Sequence, residues 1–328
     1  MKVLLAEVGS RNIGRLGYWS HRSIIPPFHC FSIAGLVITM LFSPVKSFGA
    51  ETAKLRFSQS IYFDDRGVGL KQPEGVACND KSVLIVGDTG NGRLLRYTVQ
   101  DKNIQAGNEM KIPQLSNPIR VQMNSKGEIF GLDGKQRRIV RLSPTGEFKD
   151  YLSPEGLPSP SSFIPRSFKI DPNDVYYILD IFSERVLVIG PDGKYQRQIA
   201  FPKSYGFFSD LAIDPKGSVL LIDSVKKMVF IAPRDSKEFT PLGGPLKQYL
   251  NFPTYITTDK RGMIYVVDEN GSGIVILGQD GSFLGRQLNM GWNEGLLYFP
   301  SQMCINEKGE VFIADRGNSR VQIFTLIK

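Results

Sequence analysis

From residue 55 to residue 328 the chain alternates short apolar runs with polar turns, and the alternation repeats. Six runs each close on an aspartate: Val83-Leu-Ile-Val before Asp88, Ile129-Phe-Gly-Leu before Asp133, and Val175-Tyr-Tyr-Ile-Leu before Asp180. Val219-Leu-Leu-Ile precedes Asp223, Ile264-Tyr-Val-Val precedes Asp268, and Val311-Phe-Ile-Ala precedes Asp315. The successive aspartates stand 45, 47, 43, 45 and 47 residues apart. Fifteen positions before each lies Pro73, Pro118, Pro165, Phe208, Pro253 or Pro300. Beyond that position apolar side chains recur at every second residue, as at Val76/Cys78, Val121/Met123 and Phe168/Ile170, which is the period of a strand. A turn follows, with Gly127, Gly217, Gly262 and Gly309 at one register and Ser82 and Asp174 in their place in the first and third copies. The second strand ends on the aspartate. Five residues later Arg93, Arg138, Arg185 or Arg320 opens a third strand in four of the copies. The hairpin turns Pro191-Asp-Gly-Lys194 and Gln279-Asp-Gly-Ser282 lead into a fourth.

Six copies of four antiparallel strands predict an all-β protein, a six-bladed β-propeller. The sequence resembles NHL repeats, most closely at Gly309-Glu-Val-Phe-Ile-Ala-Asp-Arg-Gly-Asn-Ser-Arg-Val-Gln-Ile-Phe324, with Val83 to Tyr97 the next-best copy. The likeness runs over residues 55–328, although Met228 and Gly273 replace the arginine in the fourth and fifth copies. A WD40 propeller is disfavoured because the Trp-Asp dipeptide never occurs. The sixth copy has only three strands, and Leu55 to Phe63 alternates like a spare one. That segment is expected to complete blade 6 and close the ring, which removes an exposed sheet edge.

The N-terminal segment reads differently. Lys2, Arg11, Arg15 and Arg22 precede the apolar run Phe31 to Phe42, and Pro44 and Ser47-Phe48-Gly49-Ala50 follow it. A basic region, a short apolar region and small residues at a cleavage position are the parts of a secretory signal. Residues 1–49 are expected to be a signal peptide, or else an uncleaved signal anchor, and residues 50–328 the propeller. The expected location is outside the cytoplasm, in a periplasm or at a cell surface, with membrane contact only through an uncleaved N-terminal segment. The net charge of +8 changes accordingly. Residues 1–49 hold five bases and one acid, so 35 bases and 31 acids remain, without a basic cluster. Nucleic acid, which calls for a concentrated basic stripe, is not an expected partner.

Beyond the N-terminal segment there is no histidine, since the two present are His21 and His29. Zinc and copper sites draw on imidazole or thiolate, and a Ser-His-Asp hydrolase needs its base, so neither chemistry is expected. The resemblance to six-bladed propellers implies two further enzyme types, zinc-dependent lyases relying on histidine and lactonases with a hard cation. The latter would need carboxylates converging at the channel mouth. The first two residues after the repeat proline should ring that mouth, and they include Glu74, Arg120, Arg166, Asp210, Tyr255 and Gln302. Only two are acids. Glu74 and Asp210 fall in opposite blades with two arginines between them, so no metal and no cofactor is expected.

The repeated Asp88, Asp133, Asp180, Asp223, Asp268 and Asp315 are expected to cap turns and to pair with Arg93, Arg138, Arg185 and Arg320 where these occur. Cys78 and Cys304 lie in the innermost strands of blades 1 and 6, neighbours in a closed ring. They are candidates for a disulfide, or for two small buried side chains. The loops with most room, 153–163 and 285–299, should lie on the face where the innermost strands begin, and the second carries Trp292. Exposed aromatics on loops suit a binding surface. The expectation is a non-catalytic binding or scaffold propeller that engages a protein, peptide or glycan partner through one loop face. The alternative is a lactonase- or lyase-like enzyme with a divalent ion in the channel.

Overall fold

A computed structural model describes residues 53–100, 103–105 and 107–327. The expected signal at residues 1–49 lies outside the described residues. Six antiparallel sheets follow one another along the chain. Blade 2, for example, runs Pro118–Met123, Ile129–Asp133, Arg138–Leu142 and Phe148–Tyr151 from the innermost strand outward. Blades 3, 4 and 5 repeat this order, with innermost strands Pro165–Ile170, Phe208–Ile213 and Pro253–Thr258. Blade 1 differs at its rim, where Asn103–Gln105 and Glu109–Met110 both pair with Arg93–Gln100.

Blade 6 closes the ring. Its sheet runs Met303–Ile305, Glu310–Asp315, Arg320–Ile327 and then Lys54–Ile61, the first described strand of the chain. The register of that last pair extends from Lys54 opposite Ile327 to Ile61 opposite Val321. Phe57 packs edge-on against Phe324, with ring centroids 5.8 Å apart.

The core is not one mass but six wedges, one in each crevice between blades. Three residues past the repeat proline, each innermost strand sends one side chain into a different wedge: Val76, Val121, Phe168, Leu211, Ile256 and Met303. All six are fully buried. Phe208, which replaces a proline, sits in the wedge between blades 3 and 4, stacked on Tyr205 at 5.0 Å. The turns between first and second strands all use a left-handed residue at one register. Glycine takes it in four blades, and Ser82 (φ 65°) and Asp174 (φ 61°) take it in the other two.

A second repeat holds those turns. Nine residues before each repeat aspartate stands Asn79, Asn124, Asp171, Asp214, Asp259 or Asn306. In the first five its side-chain oxygen accepts the N–H groups two and four residues on, as Asn79 Oδ1 does from Lys81 and Val83. Asn306 accepts from Glu310. Asx turns of this kind fix the chain reversal without competing with the sheet.

Candidate functional site

Two faces follow from the topology. The upper face carries the starts of the innermost strands and the repeat aspartates; the lower face carries the ends of the innermost strands and the Asx turns.

On the upper face each repeat aspartate ties its own turn to the loop that enters its blade. Asp180 accepts the N–H of Ile164 and of Phe182 and the Arg185 Nε. Asp88 accepts the Lys71 N–H and the Arg93 Nε, and Asp315 the Tyr298 N–H and the Arg320 Nε. Burial pushes the Asp315 carboxyl above the usual range, although these bonds and Arg320 pull the other way. Blade 4 has no arginine here, and Asp223 takes four backbone N–H groups instead, from Gly206, Phe207, Val225 and Lys226. In blade 5 the cation comes from the outermost strand, with Arg286 Nη1 2.9 Å from Asp268.

Arg138 corrects the expected pairing. Asp133 is already filled by the N–H groups of Asn117, Lys135 and Gln136 and the Ser116 hydroxyl. The exposed Arg138 guanidinium lies instead over the Tyr151 ring, 4.6 Å from its centroid. The two arginines therefore predict different costs. Arg185→Ala strips a partner from a fully buried carboxylate and should cost about 3–5 kcal/mol. Arg138→Ala loses one exposed cation–π contact and should cost about 1 kcal/mol or less. Urea unfolding of the two variants checks the contrast; equal losses would show that the buried pair adds nothing.

The channel is closed by side chains at the second position after the repeat proline. Arg120, Ser167, Asp210, Tyr255 and Gln302 are all buried there, Arg120 being 7% exposed. Arg120 spans the channel from blade 2, donating to the Ser301 hydroxyl at 3.3 Å and to the Thr254 carbonyl at 3.2 Å, and it sits 5.7 Å from the Tyr255 centroid. Asp210 accepts from the Ser167 hydroxyl and from the Ile256 N–H, and Lys169 Nζ lies 3.4 Å away. Blade 1 has Gly75 in this layer, where a Cβ would come within 2.6 Å of Val121. Through that gap Gln302 of blade 6 reaches blade 2, bonding both the N–H and the carbonyl of Val121. These residues form a plug, not an open mouth.

Glu74 stays apart from that layer, half-buried at the upper mouth. Burial raises its carboxyl pKa against the pull of Arg120, Arg316 and Arg166. It and Asp210 are not brought together, and Asp210 has both oxygens engaged. Among the described residues no three His, Cys, Asp or Glu side chains converge to hold a metal.

Above the plug stand Arg166 and Arg137. Burial, then the charges of Arg120 and Arg137, lower the Arg166 pKa. Its guanidinium lies 5.1 Å from the Phe207 centroid, and Arg137 Nη1 is buried without a hydrogen bond. Beside them the entry loops and turns of blades 3 and 4 expose Ile164, Ile181, Phe182 (56%) and Val225 (60%). These segments touch: Ile181 donates to the Ile164 carbonyl, Ser224 to the Phe207 carbonyl, and Tyr205 to Glu184. Sequence reading passed over this patch, because its apolar residues come in ones and twos from separate turns and loops. Trp292, 75% exposed, stands elsewhere on the same face, 6.0 Å from Tyr298.

Cys78 and Cys304 are joined as a disulfide across the seam of blades 1 and 6, with Cα atoms 6.0 Å apart. Both cysteines pack against the wedge between these blades, and their opposite registers let the thiols meet across it.

The NHL repeat family model matches residues 297–324, which include the strands Glu310–Asp315 and Arg320–Ile327 of blade 6. NHL repeat-containing protein 3 of Mus musculus is 30% identical over 138 residues, 41% of this chain and 39% of that protein. With six blades of this register already in view, the assignment follows. The chain is a six-bladed β-propeller that carries an NHL repeat. Similar solved structures include a virginiamycin B lyase of Staphylococcus aureus with quinupristin (TM-score 0.59, 16% identity, covering 84% of this chain and 100% of that one). A gluconolactonase of Xanthomonas campestris gives a TM-score of 0.62 at 12% identity, over 84% and 96% of the two chains. A chain of the nidogen–laminin complex gives 0.55 at 16% identity, over 72% and 93%. At these identities the likeness is one of fold. The mouse relative is matched over less than half its length. Within this propeller, then, the repeat aspartates hold the loops, and the plug separates the upper face from the cavity at the lower end of the channel.

Proposed function

We propose that the protein is an exported, non-catalytic binding module that takes a protein or peptide partner on its upper face at blades 3 and 4. The observation that carries this reading is the pairing of Arg166 and Arg137, two neighbouring guanidiniums without a carboxylate partner among the described residues, with an exposed apolar patch. Guanidiniums with free donors suit a carboxylate, and apolar turns suit an aliphatic or aromatic side chain. The partner is therefore one that presents an acidic group beside an apolar one. Exposed Lys203 and half-buried Lys226 at the margin of the patch add to the attraction at long range.

A photo-cross-linking residue in place of Phe182, in the full chain within its own host, tests this. The expected outcome is one dominant protein adduct, lost on adding Arg166→Glu and weakened as salt rises, because an ionic contact at a surface is screened. The same residue in place of Lys216 on the lower face should give no such adduct. Equal adducts from both positions, or none from Phe182, would overturn the reading. So would a tightly held divalent ion in the native mass spectrum.

A further inference from the structure

Below the plug the channel is open. A cavity of about 660 Å³ lies between the ends of the innermost strands, within the range that accepts small organic ligands. Ala77 and Ala212, two of the six residues two positions beyond the plug layer, leave the space, and Gln122, Lys169 and Thr257 give it polar walls.

Lys169 lines this cavity with an ammonium that the fold leaves without a hydrogen bond. It is 7% exposed, and its ammonium rests 3.7 Å from the Tyr255 centroid without a hydrogen bond. It forms an ion pair with Asp210 at 3.4 Å, and that carboxylate is already bonded by Ser167 and Ile256. Arg120 stands in the adjoining layer, so two buried cations face one buried carboxylate. An ammonium has three donors, and burying them unused is costly. The lysine stem has four rotatable carbons and lines the cavity, so the head can turn from the ring toward a ligand. At the rim the sign reverses. Asp80, Asp171 and Asp214 line it, against Arg234 and Lys260, while Asp259 is held by Arg261.

We propose that the lower channel binds a small amino carboxylate, with its carboxylate on Lys169 and its ammonium among the rim aspartates. A cation at the inner end and an excess of acids at the outer end complement a zwitterion better than either a plain acid or a plain amine. The site is independent of the upper patch, because the plug of Arg120, Asp210, Tyr255 and Gln302 separates them.

Calorimetric titration of the full folded protein with the series from 4-aminobutyrate to 8-aminooctanoate, beside the matching carboxylates and amines, tests this. At least one amino carboxylate should bind saturably, one to one, and about tenfold or more tighter than its acid or amine counterpart. A tenfold step corresponds to about 1.4 kcal/mol. Lys169→Met should lose that binding. Gln122→Trp, which fills the cavity and leaves Lys169 in place, should lose it too, and it carries the test if the lysine variant does not fold. No saturable binding by any member of the series would overturn the proposal. So would binding that survives Gln122→Trp, or amines that bind as tightly as the zwitterions.

Discussion

A protein lacking residues 53–63 is expected to lose its cooperative unfolding transition. That segment carries Lys54–Ile61, the outermost strand of blade 6, and it is the tie between the two ends of the described ring. Ala53, Leu55 and Ile61 are buried, and Phe57 packs on Phe324. Burying a large aliphatic or aromatic side chain contributes about 1.5–3 kcal/mol, so Leu55, Phe57 and Ile61 together supply about 5 kcal/mol or more. Domains of this kind are stable by only about 5–15 kcal/mol. Removal also lays open the edge of Arg320–Ile327, which invites pairing with other chains. Far-UV circular dichroism during heating should show a broad, shallow change and a soluble fraction that falls with concentration. A synthetic peptide of residues 53–63 added in trans should restore part of the transition. An unchanged, sharp transition in the truncated chain would mean that the ring does not depend on this strand.

The second large effect is expected at the same seam. Reduction of the Cys78–Cys304 disulfide, or Cys78→Ala with Cys304→Ala, should destabilise the protein by about 3–5 kcal/mol. The reason is loop length: the bridge joins residues 226 apart, so it removes much of the freedom of the unfolded chain. At this chain length the melting temperature should fall by about 5–10 °C. Both closures bring blade 6 to blade 1 or to its own missing strand, so their losses should not add: the truncated protein should be more sensitive to reductant than the intact one. Melting curves with and without reductant, together with the intact mass of the unreduced protein, check this. Free thiols that alkylate without reduction, or a melt that reductant leaves unmoved, would remove the seam disulfide from the account of stability.

Much of this architecture was readable before any coordinates, and particular residues show why. A strand's side chains alternate, and a blade must place an apolar residue toward each neighbour, so the Pro-to-Asp frame recurs with little freedom. Asp88 and its five counterparts were legible as caps because a carboxylate at a fixed offset from a strand end has few other uses. The Asx residues Asn79 to Asn306 were equally periodic, at nine residues before each aspartate, yet they pass unnoticed when Asn and Asp are not counted as one class. Arg138 misled for a local reason. The spacing placed it five residues after Asp133, but the carboxylate had already been filled by Ser116, Asn117, Lys135 and Gln136.

The candidate sites were less legible. Arg120, Asp210, Tyr255 and Gln302 were marked by register as residues of a channel mouth, but register could not say that they would meet in the middle. That depends on Gly75, whose missing side chain lets Gln302 reach Val121, and on the reach of Arg120 to Thr254 in a distant blade. The exposed patch of Ile164, Ile181, Phe182 and Val225 combines three segments of two blades, and the Lys169 ammonium, without a hydrogen bond, is defined by what surrounds it. Periodic patterning acts between residues close in sequence, and it suffices for blades, turns and caps, each of which is built from local hydrogen bonds and one apolar face. Which side chains fill the channel, which charges go unpaired and which cavity stays open are set by contacts between blades more than a hundred residues apart. Those contacts exist only once the ring has closed.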